Sequence, residues 1–366
     1  MIPLKKKVLN PSLYVIKNDF GNNPSIIYNE IGKDALSYIA NHTDLNSEHT
    51  FVTSTINSFN IANAPSDKYK TIINLLRVND IKDINKFFDI INTKLICNGT
   101  FIACAETERL RYNRLLRKFI FPFNYIYTFS DYLFKRVFPK LPITRSIYFF
   151  TTGGRNRVLS RVELLGRFYR AGFEILDERG IGSLKYFIVR KTKKPPIDDH
   201  KSHSPIIRLK RVGKNGKLVN IYKLRTMYSY SEYLQEYIYK LNNVDTSGKF
   251  KNDFRVSPAG KILRKLWLDE LPMLINLFKG DIKLFGVRPL STHYYNLYTE
   301  ELKKERIKYK PGLIPPYYVD LPKSMEEIMA SEMKYLKRYG ENPLKTDIKY
   351  LSLAFYNIVI KGNRSS

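Results

Sequence analysis

Residues 191–205 read KTKKPPIDDHKSHSP, and no other run constrains the architecture of this 366-residue chain as strongly. Paired prolines, small polar residues and mixed charge replace the apolar periodicity found on both sides, which is the composition of a linker. The chain therefore divides into two parts, each long enough to bury its own core. The boundaries are an unassigned leader 1–50, a first domain 51–191, the linker 192–204 and a second domain 205–366. There is no internal repeat.

In the first domain YKTIINLLRV, residues 69–78, reads as a buried strand. Asp80 can cap a following helix whose apolar residues Ile84, Phe87, Phe88, Ile91 and Leu95 recur at helical spacing. Asn98-Gly99 turns the chain into a second apolar strand, Thr100 to Ala105. Further on, Ser160 is placed to cap a helix, with Glu163 completing a capping box and Gly172 at the stop. Strands at 173–176 and 185–190 close the unit. Strands alternating with helices predict an α/β sandwich. This order, with the A-G-F-E-I step at 171–175, resembles the later half of a class I methyltransferase domain. The resemblance implies a partial methyltransferase-like sandwich. A glycine-rich cofactor loop would precede the strand at Tyr69, but Gly21 and Gly32 there belong to no G-x-G pattern. The domain is expected to bind no cofactor and to act as scaffold or docking surface. An active S-adenosylmethionine enzyme is the rival reading.

Residues 111–150 form an insertion with eight cations, a single acid (Asp131) and thirteen aromatics. Two readings fit. Rings and cations together suit a lipid headgroup layer, or the rings pack inward and the cations form a solvated rim. Over the whole chain Lys and Arg number 62 against 34 Asp and Glu, a formal net charge of +28. Such an excess attracts nucleic acid, anionic lipid or diphosphate-bearing substrates. No nucleic-acid-binding motif supports the first of these. Cys97 and Cys104 read as reduced thiols, and His42, His49, His200, His203 and His293 form no ligand cluster. The basic N-terminus lacks the apolar core of a signal peptide. No window offers the ~18 consecutive apolar residues of a membrane span.

Three segments of the second domain carry chemistry. In IIRLKRVGKNGKLVNIYKLRTM, residues 206–227, two alternating strands flank Asn215-Gly216, a strong hairpin signal. The second strand ends at Lys223, Arg225, Thr226 and Met227, where cations can grip a diphosphate or simply face solvent. In the second segment Leu268-Asp269-Glu270-Leu271-Pro272 lies between two apolar helical faces. Proline is tolerated in the first helical turn, so a helix is expected to begin near Asp269. Adjacent carboxylates at a helix start either cap it or face a phosphate drawn to the same dipole. The third segment runs through Gly286 to Arg288-Pro289, an arginine that can clamp an anion or cap a neighbouring helix.

Together these segments resemble the bacterial sugar transferases, the monotopic polyprenyl-phosphate phosphoglycosyl transferases. That family shows R-x-G-x-x-G before K-F-R-[TS]-M, here Arg211, Gly213, Gly216 and residues 223–227. It shows N-D-x-R before L-R-K-x-S-L-D-E-L-P-Q, here Asn252-Asp253, Arg255 and residues 263–273. K-G-D-M-S-L-V-G-P-R-P corresponds to 279–289, and Y-x-x-R…P-G to Arg306, Tyr309, Pro311 and Gly312. The resemblance covers about 205–362. Departures are Trp267 for a serine, Val287 for a proline, Pro311-Gly312-Leu313-Ile314-Pro315 for P-G-[IL]-T-G, and a polar linker where the family has a hydrophobic re-entrant helix.

The resemblance implies an α+β catalytic domain that moves a sugar phosphate from a UDP-sugar to undecaprenyl phosphate and releases UMP. It implies Asp269 as nucleophile, Glu270 as Mg²⁺ ligand, and Lys223, Arg225, Asp253, Arg255, Arg264 and Arg288 around the substrate. The expected location is the cytoplasmic face of the bacterial inner membrane, peripheral or monotopic. Attachment to the anionic surface is expected through the insertion and the apolar C-terminal stretch 347–360. A non-catalytic regulatory homologue is the alternative.

Overall fold

The computed structural model describes residues 24–196, 204–241 and 253–360. The start of the leader, most of the linker, His200, His203, Asn252 and the basic flank Lys361 and Arg364 lie outside the described residues. The chain divides into one unit of residues 1–203 with 229–236, and a second of 204–228 with 237–366.

In the first unit five strands form one sheet, ordered β1-β2-β3-β5-β4. They are β1 (Thr50–Thr53), β2 (Tyr69–Arg77), β3 (Leu95–Ala105), β4 (Phe173–Ile181) and β5 (Leu184–Lys191). The first three run parallel, and β5 is antiparallel to both of its neighbours. Near-continuous apolar runs such as that of β2 require cover on both faces. Helices Pro24–Ile31 and Lys33–Ala40 cover one face, setting Ile27, Tyr38 and Ile39 against Val52, Ile73, Ile102 and Ile188. Within 1–50, which the sequence left unassigned, Ile27, Ala35, Tyr38, Ile39 and Leu45 contribute to the core. On helices Ile84–Lys94 and Arg161–Arg170, Phe88 and Phe168 stack at 4.6 Å, and Phe101 of β3 meets both edge-on.

Local expectations needed adjustment. Asp80 does not cap the helix; it sits in a 3₁₀ turn and accepts from Arg77 and from the Asn156 N–H, while Asp83 precedes the helix. Asn98-Gly99 is a bulge inside one strand, with Asn98 at φ 61°, because β2 pairs with β3 on both sides of it. Ser160 accepts from the Glu163 N–H as expected of a cap. The Glu163 carboxylate instead meets Lys140, Arg136 and Arg167, which hold it well below the usual glutamate value although burial works the other way. Residues 229–236, placed by the sequence in the second domain, count with the first unit. Tyr230 is buried there, takes a hydrogen bond from Asn85 and lies under the Arg167 guanidinium. Its carbonyl approaches Gly166 so closely that a Cβ would stand 2.1 Å away.

The second unit opens with an antiparallel hairpin, β6 (Ile206–Val212) and β7 (Leu218–Leu224), reversed where Asn215 and Gly216 take positive φ. A short parallel pair, β8 (Lys283–Phe285) and β9 (Gly312–Ile314), is the other sheet. The main core gathers Phe285, Val287, Tyr298, Leu302, Tyr335 and Tyr350. Helices Met325–Glu341 and Pro343–Phe355 border it, capped by Ser324 and Asn342. The last helix buries Thr346, Tyr350 and Ala354 and leaves Leu344, Ile348 and Phe355 exposed.

Candidate active site

β7 delivers the first site residue. Lys223, near its end, donates to Glu270 Oε1 at 2.5 Å, and Arg288 Nη2 stands 3.9 Å from the same oxygen. Chain segments far apart in sequence thus meet around one carboxylate. Helix Pro258–Lys265 starts beside the strand end: Ser257 caps it, and its Oγ also donates to the Thr226 carbonyl. Only a glycine permits this approach, since a Cβ on Gly260 would come within 1.9 Å of that carbonyl oxygen. From the same helix Arg264 donates to Thr226 Oγ1 at 2.9 Å.

The carboxylate pair is presented differently from the expected helix start. Trp267 takes a left-handed conformation, φ 59°, with its ring against Tyr318. Leu268–Glu270 then makes a single 3₁₀ turn, and the helix Met273–Phe278 begins only after Pro272. At six residues, that helix contributes little dipole at Asp269. The positive potential comes instead from Lys223, Arg264 and Arg288. Asp269 is half-buried, and burial raises its carboxyl above the usual aspartate value. Glu270 adds to the rise, whereas Lys223 and Arg264 oppose it. Among the described residues Asp269 makes no salt bridge, although its carboxylate accepts a hydrogen bond from its own backbone N–H.

The remaining expected residues divide into two sets. Arg225 lies at the strand end, donating through Nε to the Ser204 carbonyl. Arg255 is buried and forks onto Asp253 at 2.7–3.1 Å. Burial would raise the Asp253 carboxyl, but the Arg255 bonds outweigh it and hold the group below its usual value. The fork ties Arg255 and Asp253 to each other, and Arg264 adds to the positive field at Asp253. Arg288 donates to the Tyr317 hydroxyl at 3.4 Å.

Two residues that sequence reasoning passed over hold the site together. Fully buried Asn276 accepts from the Tyr222 N–H at 3.0 Å, and donates to the Asn220 carbonyl at 2.7 Å and to Asp281 at 2.9 Å. It satisfies the outer edge of β7 and locks it to the helix after Asp269-Glu270. Asn276→Ala orphans two part-buried backbone groups and should cost roughly 1–2 kcal/mol, measurable by chemical denaturation. Arg306, noted only as a motif match, pairs with buried Glu332 and donates to the Arg288 carbonyl at 2.5 Å, which sets the course of the chain at Arg288.

No group of three or more His, Cys, Asp or Glu gathers as a metal cage among the described residues. Mg²⁺ does not need one, being held through one or two carboxylates and substrate phosphates. Glu270 offers a carboxylate of that kind, with Lys223 engaging Oε1 alone.

The class of this second unit follows from these motifs: residues 197–361 match the bacterial sugar transferase family. Among the relatives is the galactosyl transferase CpsE of Streptococcus agalactiae, 30% identical over 156 residues, 42% of this chain and 34% of that protein. The undecaprenyl-phosphate galactose phosphotransferase of Salmonella typhimurium is 34% identical over 108 residues, 28% of this chain and 22% of its own. The UDP-glucose:undecaprenyl-phosphate glucose-1-phosphate transferase of Caulobacter vibrioides is 33% identical over 110 residues, 30% and 38% of the two chains. The chain thus spans well under half the length of each of these relatives.

Proposed function

We propose that the chain transfers a sugar phosphate from a UDP-sugar to undecaprenyl phosphate at the cytoplasmic face of the inner membrane, initiating a lipid-linked glycan. The observation that carries this reading is the juxtaposition of Asp269, free of ion pairs among the described residues, with Glu270 held by Lys223 and Arg288. An Asp269 oxygen attacks the phosphorus that bears the sugar. A P–O bond forms, the diphosphate P–O bond breaks, and UMP leaves with the electron pair. A lipid phosphate oxygen then attacks the same phosphorus and restores the free carboxylate. No base is needed to activate Asp269, since a carboxylate carries its own lone pairs.

Lys223, Arg264 and Arg288 offset the charge that gathers on the diphosphate. Glu270 would hold Mg²⁺, which when bound supplies further charge neutralisation at the substrate phosphates. Asp253 and Arg255 act by shaping the wall that carries Arg264.

A panel of UDP-sugars, each presented with undecaprenyl phosphate in detergent and Mg²⁺, tests the proposal. UMP release and a lipid-linked product are expected with at least one sugar. Inactivity with every sugar, in a folded protein, would favour the regulatory alternative.

A further inference from the structure

The helical insertion of the first unit is built inside out. Helices Glu108–Lys118, Phe123–Tyr132 and Pro142–Thr152 compose it, with a π turn Leu133–Val137 between the last two. A helix on a water-soluble domain buries its apolar stripe and shows water its charges. Here the buried positions include Arg111, Thr128, Asp131 and Arg136. Arg111 forks onto Asp131 at 2.6 and 2.8 Å and reaches Glu106 at 3.0 Å. Arg136 donates to the Val158 carbonyl, and Lys140 to Glu163 at 2.9 Å. These bonds fasten the insertion to its unit through its polar side.

The other side is apolar and bare. Phe150 is 92% exposed, Ile120 84%, Ile143 82% and Phe121 74%, and Phe123, Ile126, Phe129 and Ile147 are exposed beside them. Ile143, Ile147 and Phe150 follow one helical stripe, so the exposure is a face and not scattered side chains. A face this apolar marks an interaction surface.

Charge identifies the occupant. Asp131, the single acid of 111–150, is buried and spent on Arg111 and Lys135, and Glu108 at the start of the first helix faces Arg136. Exposed Arg117 and Lys118 border the rings. Rings set among cations without exposed acids complement an anionic lipid surface, where apolar groups enter the interface and long cationic chains reach the headgroups. No described helix is long and apolar enough to cross a membrane.

We infer that the exposed face of 120–150 seats the protein on an anionic phospholipid bilayer. The inference rests on the lipid-acceptor reading only for why a membrane is nearby. Co-sedimentation of the full chain with phosphatidylcholine vesicles, with and without phosphatidylglycerol, tests it beside the triple variant Phe121→Ser, Phe129→Ser, Ile147→Ser. The native chain should pellet with the anionic vesicles, and added salt should weaken but not abolish binding. The triple variant should partition at least ~10-fold less, while its turnover on detergent-solubilised acceptor matches the native chain. Loss of vesicle binding with detergent activity preserved supports the surface. If neither protein turns over, the transferase reading fails, and the vesicle result still decides this one. Equal pelleting of the two proteins overturns the inference. So does native protein that ignores anionic vesicles, and a dimer in light scattering that the triple variant dissolves would then assign the face to a second copy.

Discussion

Asp269→Asn is expected to lower turnover by roughly 10³–10⁶-fold, the range seen when a nucleophile is removed and binding is left intact. The amide keeps the shape but is too weak a nucleophile to form the phosphoryl bond. The structure adds a second, less intuitive expectation. Burial raises the Asp269 carboxyl above its ordinary value, so the fold disfavours its charge and carries that cost wherever the group is ionised. The neutral amide relieves it. Thermal stability near neutral pH should therefore hold or rise slightly as activity disappears, the pattern of a residue kept for function. Asp253→Asn makes the contrast. The Asp253 carboxyl is held below its usual value by Arg255, and this variant should lose stability because a buried guanidinium loses the carboxylate it forks onto. Melting curves beside UMP-release assays separate the two carboxylates.

Arg306→Leu should have the largest effect on stability. Glu332 is almost fully buried and paired with Arg306, and removing one member of such a pair typically costs about 3–5 kcal/mol. Burial already raises the Glu332 carboxyl, and Arg306 opposes the rise, so in the variant it climbs further. A carboxyl raised on folding favours the folded state below its unfolded value, and this contribution is lost as pH rises through the folded value. The deficit of Arg306→Leu should therefore shrink as pH falls from 7 towards 4.5. Pairing it with Glu332→Leu should recover much of the loss even at neutral pH, because no charge then remains buried. Denaturant titrations of both variants at two pH values check this. The double variant should retain a raised KM, since the Arg288 carbonyl still lacks its donor.

Features written into a few neighbouring residues were legible in the sequence. Asn215-Gly216 reverses the hairpin because both adopt positive φ, and Ser160 caps its helix because the first-turn N–H groups lie within reach of one side chain. The short spacing from Leu268 to Pro272 likewise placed a helix boundary there, but its exact form depended on Trp267. That residue turns left-handed to lay its ring on Tyr318, a contact invisible to local reasoning, and the carboxylates ride a 3₁₀ turn as a result. The contacts of Asn276 and Arg306 were passed over for the same reason, since their partners are fixed only by the folded unit. The leader helices were missed because eight residues give too brief a period to register. In the insertion the sequence left two readings open, and rings such as Phe121, Phe129 and Phe150 stand exposed instead of packing inward.

The central claim is that the carboxylate of Asp269 carries the phosphosugar between donor and acceptor. Intact-mass spectrometry of the full chain, incubated with a supporting UDP-sugar and Mg²⁺ but no lipid phosphate, tests it most directly. The account predicts a mass increase of one sugar phosphate, mapping to Asp269 after proteolysis, absent from Asp269→Asn and discharged when undecaprenyl phosphate is added. Turnover with no adduct, together with UMP release that strictly requires the lipid, would contradict it and establish direct transfer within a ternary complex.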